Sequence, residues 1–459
     1  MPVQISALEH DSFCCVISSL ELMTKIFLLE LGDSMKLKTI GLGVLTLAAV
    51  TTLAACGNST SASKDASKKI ETSVDKKTTI TFWHAMTGAQ EKALQKLTTD
   101  FEKANPKITV KLQSQSSYPD LQAKLTSTMQ SPKNLPTITQ AYPGWLLDAS
   151  KNNLLVDLKP YLSNSKIGIS GSEAIKPELL KGAQFSGVQY GIPFNKSTEV
   201  LFYNADLLKK YDLKVPTTMT ELKDESKTIY EKSNHQVVGA GFDALNNYYS
   251  TALKDAGENF TSKTDFTGQT SKDAIDYYFQ GVKAGYFRIA GSDKYMDGPF
   301  DNQKVAFYIG SSAGESFVAQ DAKFNYGVAA RPSKYAISQG TDIYMFSQAS
   351  QDQRTAAYLY EKFLAKTSST VYFANQTGYI PVTEAGMKDA AYVDNKTSKV
   401  PAIISDATKN LFTTPLETNS DAAYTQLTAT MQAILSNPKG NEDDLIKQGA
   451  AQLKNAWNQ

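Results

Sequence analysis

The 459 residues carry Lys+Arg 47 against Asp+Glu 46, a formal net charge of +1 at pH 7. A balance this even, without a basic stripe, gives nothing to grip a phosphate backbone and excludes nucleic acid as a main partner. The chain is also too long for a single core, so two lobes are expected.

Residues 1–34, "MPVQISALEHDSFCCVISSLELMTKIFLLELGDS", mix charged and apolar residues without a clear period. They stand in front of a segment that already forms a complete export signal from Met35. They are therefore expected to be a mis-assigned extension, with Met35 the true initiator and Cys14 and Cys15 absent from the mature protein. From Met35 the sequence reads "MKLKTIGLGVLTLAAVTTLAAC": two lysines, an apolar stretch from Ile40 to Ala55, and small residues before Cys56. That is the layout of a secretory signal over residues 35–55, with an apolar part short of the ~20 residues a membrane span needs. Leu53-Ala54-Ala55-Cys56 resembles a bacterial lipobox. The resemblance implies a diacylglycerol on the Cys56 thiol and cleavage that leaves Cys56 as the first mature residue. An uncleaved anchor helix is the plainer alternative. Residues 56–77 are polar and Ser/Lys-rich and are expected to be a flexible tether.

Regular structure is expected from Thr78. "TTITFWHAM" alternates as a strand, and "AQEKALQKLTTDFEKANP" is a helix with Leu94, Leu97 and Phe101 on one face and Pro106 as its stop. "KITVKLQSQ" is a strand, "YPDLQAKLTSTMQSP" a helix and "LPTITQAYPG" a third strand. This alternation points to an α/β lobe with a largely parallel sheet. Ligands of such sheets sit at the strands' carboxyl ends, here Trp83–Gly88, Ser114–Tyr118 and Tyr142–Trp145. A second α/β set starts near "GIPFNKSTEVLFYNADLLKKYDL", with "VLFYN" a strand and "ADLLKKY" a short helix. "TTMTELKDESKTIYEKS" is a longer helix opened by a Thr cap. "KVAFYIGSSAGESFVAQ" reads as strand, small-residue turn and helix. "DIYMF" is a late strand before the helix "DQRTAAYLYEKFLAK".

Catalytic chemistry is sparse. After Cys56 there is no cysteine, so no thiol nucleophile and no disulfide. Of the His 3, His10 falls in the extension, and His84 and His235 are isolated, so no two-histidine metal site is readable. No cofactor motif and no nucleophile elbow appear. Tyr 23, Phe 20 and Trp 3 suit a pocket whose rings pack while hydroxyls bond, though core edges use tyrosine in the same way.

The stretches "FWHAMTG" (82–88), "GIPFNKSTEVLFYN" (191–204), "KFNYGVAARP" (323–332) and "NQTGYIPV" (375–382), with the lipobox, resemble the extracellular solute-binding proteins of ABC importers. The likeness is to the large maltodextrin-binding-like group, and within it to the glycerol-3-phosphate-binding branch. It implies an α/β protein of the two-lobed periplasmic-binding-protein type (type II), hinged about a cleft. Residues 78–196 and 340–392 would form one lobe, and 197–339 and 393–459 the other. It also implies a sugar or glycerol-phosphate-type cargo, a permease pair with a cytosolic ATPase as partners, and no catalysis. The protein would be moored through Cys56 to the outer face of the cytoplasmic membrane, in a Gram-positive bacterium. Carried over by position, the family's pocket residues fall on Tyr118, Ser197, Ser311 or Ser312, Gly340 and Tyr379; Trp83, Tyr118, Tyr142 and Trp145, at the strand ends, would stack on the apolar face of the cargo. Each of the serines could equally cap a helix, and Tyr379 could pack a loop.

The departures bear on the cargo. Pro143 stands where the branch has a carboxylate that accepts from glycerol hydroxyls. Met219 stands in place of an aromatic, and Glu417 falls near the branch's phosphate-gripping arginine, for which Lys196 and Arg331 are the substitutes at hand. Replacing an arginine fork by a carboxylate disfavours a dianion. An oligosaccharide is the alternative cargo. A surface hydrolase or an adhesin is the alternative of another class; the first needs a carboxylate pair or metal cluster in the cleft, the second an exposed apolar patch.

Overall fold

The computed structural model describes residues 70–458. The extension, the export signal, Cys56 and the tether through residue 69 lie outside the described residues. In the first half, strands β1 (Thr78–His84), β2 (Ile108–Ser114) and β3 (Ile138–Ala141) alternate with helices α1 (Gly88–Ala104) and α2 (Tyr118–Met129). β4 (Gly191–Asn204), α3 (Ala205–Tyr211), α4 (Met219–Lys232), β5 (Val238–Phe242), α5 (Leu245–Asp255), α6 (Gln269–Ala284) and β6 (Phe287–Ile289) follow. Then come β7 (Val305–Ser311), α7 (Glu315–Asp321), β8 (Tyr326–Ala330), β9 (Ala336–Met345), α8 (Gln351–Ala365) and α9 (Thr367–Thr377). β10 (Leu411–Phe412), α10 (Ser420–Leu435) and α11 (Glu442–Trp457) end the chain.

The strands connect in the order β2-β1-β3-β9-β4-β7-β5-β6, with β8 paired to β4 and β10 to β9. β1 lies between β2 and β3 and is parallel to both. β5 is parallel to β6 and β7. β4 and β9 join these two parallel sets. The first half of β4 pairs antiparallel with β9, from Gly191 to Thr198, and its second half with β7 and β8, from Glu199 to Asn204.

Two of the apolar clusters among the described residues explain this arrangement. Phe82, Leu94, Phe101, Ile138, Ile343 and Tyr360 belong to the first. Leu201, Phe242, Tyr248, Ile275, Phe307 and Leu427 belong to the second. β4 is the thread between them: Ile192 and Phe194 enter the first core, and Leu201 the second. Between Phe194 and Val200 lie Asn195, Lys196, Ser197, Thr198 and Glu199, all buried. Consecutive buried polar residues in mid-strand can persist only where each finds a partner, and here they floor the junction of two lobes.

Two readings of the sequence change. "VLFYN" is only the end of β4, and "DIYMF" only the end of β9. The last residues of the expected tether are docked: Ile70 and Val74 pack on the first core, Lys76 pairs with Asp352 at 2.5 Å, and Thr355 donates to the Glu71 carbonyl at 3.2 Å. The expected lobe junctions at 196/197 and 339/340 fall inside the crossing strands β4 and β9. Among the described residues no helix is long and apolar enough to cross a membrane.

Candidate functional site

A cavity of about 780 Å³ opens where the crossing strands meet the two lobes. Its first-lobe wall is the turn after β3, Tyr142-Pro143-Gly144-Trp145, and its floor includes Lys196 and residues 337–340 of β9. The second-lobe wall holds Asn246 and Asn247 at the start of α5 and Asp421 and Tyr424 at the start of α10.

The aromatic group is built by local sequence. Ser117 caps α2 by accepting from the Asp120 amide at 3.2 Å, and so sets Tyr118 at the first helical position, beyond the carboxyl end of β2. Pro143 opens a 3₁₀ turn that projects Tyr142 and Trp145 together. The Tyr118–Tyr142, Tyr142–Trp145 and Tyr118–Trp145 ring centroids lie 5.3, 5.2 and 6.1 Å apart, all edge to face. Tyr379 joins through its hydroxyl, 3.3 Å from that of Tyr118. Asn195 donates to the Tyr118 hydroxyl at 3.0 Å and accepts from Thr341 at 2.7 Å, which ties the rings to both crossing strands. Burial pushes the Tyr118, Tyr142 and Tyr379 phenols up, so all three stay neutral donors and acceptors.

The expected polar residues lie along the same crossing. The Ser311 hydroxyl donates to Ser197 at 3.0 Å. Ser311 also accepts from the Ala313 amide at 3.2 Å and so caps the turn after β7. Ser312 is fully buried, and its hydroxyl has no partner among the described residues. Gly340 sits opposite Lys196 with φ +81, where a Cβ would stand 1.9 Å from the Asn195 carbonyl oxygen. Only glycine fits such a place. Its own carbonyl accepts from Lys196 Nζ at 3.1 Å.

Trp83 stands apart from this group. It is 6% exposed, packs with Leu121 and Leu125, donates to Gln113 Oε1 at 2.6 Å and lies under Lys124 Nζ at 4.3 Å. Nearly all of its surface is covered from within the first lobe, which leaves no ring face for a guest. Met219, at the start of α4, packs against the second core, and its carbonyl accepts from Tyr277 at 2.6 Å. Glu417 accepts from the Ser262 amide at 2.9 Å and is not among the residues lining the cavity.

The two cations considered for phosphate are already matched. Lys196 pairs with Asp342 at 3.1 Å, both nearly fully buried. Arg331 is ion-paired with Glu199, which also accepts from Asn247 Nδ2 at 3.0 Å. Burial raises the Asp342 and Glu199 carboxyls, and Lys196 and Arg331 respectively oppose the shift. Tyr424 donates to Asn247 Oδ1, so the cavity wall continues into this buried pair. Asn246, Asn247, Asp421 and Tyr424 line the cavity, and Asn195, Thr341 and Gln122 hold residues of its surroundings in place; the sequence reading did not mark them. Among the described residues no cluster of His, Cys, Asp and Glu is arranged to hold a metal.

Residues 96–400 match the family model described as bacterial extracellular solute-binding protein. The chain belongs to the bacterial extracellular solute-binding proteins. This solute-binding protein is 26% identical over 331 residues to the sn-glycerol-3-phosphate-binding periplasmic protein UgpB of Salmonella typhimurium, covering 67% of this chain and 75% of that one. It is 25% identical over 343 residues to the protein of the same name from Brucella abortus, covering 69% and 77%. UgpB from Mycobacterium tuberculosis in complex with glycerophosphocholine shares its fold with a TM-score of 0.73 at 17% identity, over 83% of this chain and 98% of that one. The GacH receptor of Streptomyces glaucescens, solved unliganded and with acarbose, gives 0.71 at 19% identity, over 83% and 98%. Maltose-bound MalE3 of T. maritima gives 0.70 at 20%, over 82% and 99%. The chain thus has the two-lobed fold of maltose-binding-like receptors.

Proposed function

We propose that this protein captures a sugar or glycerol-phosphate-type solute by closing its lobes and hands it, chemically unchanged, to an ABC permease driven by a cytosolic ATPase. The lobes divide near 196/197, 339/340 and 392/393. Cys56, bearing diacylglycerol, holds the protein on the outer face of the cytoplasmic membrane of a Gram-positive cell. Tyr142 and Trp145 face the cargo from one lobe, with Tyr118 packed on both rings and Tyr379 bonded to Tyr118. Ser197, Ser311 and Gly340 contribute polar groups at the crossing.

The observation that carries this reading is the cavity itself: about 780 Å³, walled by an aromatic turn on one lobe and by amide, hydroxyl and carboxylate groups on the other. A guest there touches both lobes only when they meet, so binding draws the open–closed equilibrium toward closure. Its volume lies within the range of ordinary small-molecule sites. The relatives named for glycerol-3-phosphate and the structures holding glycerophosphocholine, acarbose and maltose support the cargo class.

Calorimetry, thermal melts and small-angle scattering against glycerol-3-phosphate, glycerophosphodiesters and di- to tetrasaccharides test it. A ligand at about 100 times its Kd stabilises the protein by about 2.7 kcal/mol and compacts it. Chromatography of recovered ligand shows no product. A panel that moves neither melting temperature nor radius of gyration sinks the reading.

A further inference from the structure

Asp421 lies in the first turn of α10, in the second lobe, and reaches the aromatic turn of the first. A Cβ placed on Gly144 would lie 3.3 Å from the Asp421 Cβ and 3.4 Å from its Oδ1. The Asp421 side chain thus occupies the space beside Gly144 that the missing Cβ leaves open, in the cavity that Tyr142 and Trp145 also line. Gln122 of α2 donates to Oδ2 at 2.7 Å. Among the described residues Oδ1 has no hydrogen-bond partner. The pocket therefore holds a half-satisfied carboxylate beside the turn that carries the two rings, contributed by the lobe opposite them.

We propose that Asp421 is the hydroxyl acceptor that makes this cleft selective for neutral, hydroxyl-rich solutes over phosphate monoesters. This rests on the reading of the cleft as the solute site. A carboxylate accepts from two neighbouring hydroxyls at once, while the Tyr142 and Trp145 rings cover the C–H face of a sugar. A dianion arriving at the same place meets a like charge. Among the described residues, the buried cations Lys196 and Arg331 are already bound to Asp342 and Glu199 and do not offset it. Lys181, also of the cavity wall, is exposed. Asp421 already places a carboxylate in the first turn of α10, where the helix dipole would otherwise favour an incoming anion. Pro143 leaves the turn after β3 without a carboxylate of its own, and Asp421 supplies one from across the cleft.

Calorimetry on the wild-type protein and on Asp421→Asn decides the matter, with di- to tetrasaccharides and with sn-glycerol-3-phosphate as probes. The wild type binds a saccharide and prefers it to the phosphate ester. In D421N the saccharide weakens about 10- to 100-fold, the span a charge-assisted bond supplies, while glycerol-3-phosphate binds more tightly than in the wild type. A carboxylate that merely latched the lobes would move both ligands in the same direction. Thermal melts check that D421N is folded, and Asp421→Ser repeats the test if it is not. Saccharide affinity unchanged in the variant overturns the inference and leaves the receptor reading intact, as does a wild type that prefers glycerol-3-phosphate. A wild type that binds neither class overturns both.

Discussion

The Lys196 ammonium donates to the Asp342 carboxylate at 3.1 Å within the two strands that cross between the lobes. Both side chains are almost wholly removed from water. Such a pair contributes little net stability over an apolar replacement, but a lone survivor is costly. Lys196→Met leaves Asp342 without its cation and should cost about 3–5 kcal/mol in urea unfolding. The double variant Lys196→Met/Asp342→Leu removes both charges and should regain most of that loss. Equal losses in the single and double variants would show that the charges are not what the crossing depends on.

Gly340 tests the same crossing from the backbone. With φ +81 and no room for a Cβ, Gly340→Ala must move β9 away from Asn195. The backbone alone costs about 1–3 kcal/mol. Because Asn195 holds Tyr118 and Thr341, ligand affinity should fall together with the melting temperature. A variant that melts lower yet binds as before would separate Gly340 from the site.

Much of the first lobe was legible, because α1, β2 and α2 bury one face at a readable period, while β1 and β3 are short β-rich runs bounded by turn residues. The crossing strands were not. In β4 five polar residues interrupt the apolar pattern, so local sequence shows only its end. Their burial depends on partners far along the chain, such as Asp342 for Lys196 and Arg331 for Glu199. α10 is missing from the sequence reading although Leu427, Met431 and Ile434 stand at helical spacing, and with it Asp421 was missed. The aromatic turn was legible from its place after a strand. That Trp83 is covered while Tyr142 and Trp145 face the cavity is set by Leu121, Leu125 and Lys124 of α2, which no local pattern reveals. Ile70 and Val74, two isolated apolar residues in a polar stretch, carry no period that would announce it, yet they dock on the first core.

The aromatic turn makes a direct prediction on binding. Tyr142→Ala removes a ring that touches both Tyr118 and Trp145 and should weaken the cargo about tenfold, close to 1.4 kcal/mol. Tyr142→Phe keeps the ring and should stay within about threefold of wild type if stacking dominates. Calorimetry with the best ligand of the panel reads both. Equal losses in the two variants would assign the effect to the phenol hydroxyl.

Asp243, just beyond β5 in the second lobe, sets a dependence on pH. Its Oδ1 accepts from the Met296 amide at 2.7 Å, and its own amide donates to the Ile309 carbonyl at 2.9 Å. Burial pushes the carboxyl up to about 8; the Met296 hydrogen bond opposes this, and Asp297 and Glu199 add to it. The folded protein therefore holds a proton on Asp243 that the unfolded chain, with an ordinary value of 3.8, releases. The stability this contributes is fully present below the unfolded value and is lost as pH rises through about 8. Asp243→Asn keeps the carbonyl that accepts from Met296 and removes the ionisation. Unfolding by urea at about pH 5 and about pH 9 should show the variant gaining on the wild type at the higher pH. Other titrating groups are common to both proteins, so the difference isolates Asp243. Parallel pH profiles for the two would mean that the carboxyl is not protonated in the fold.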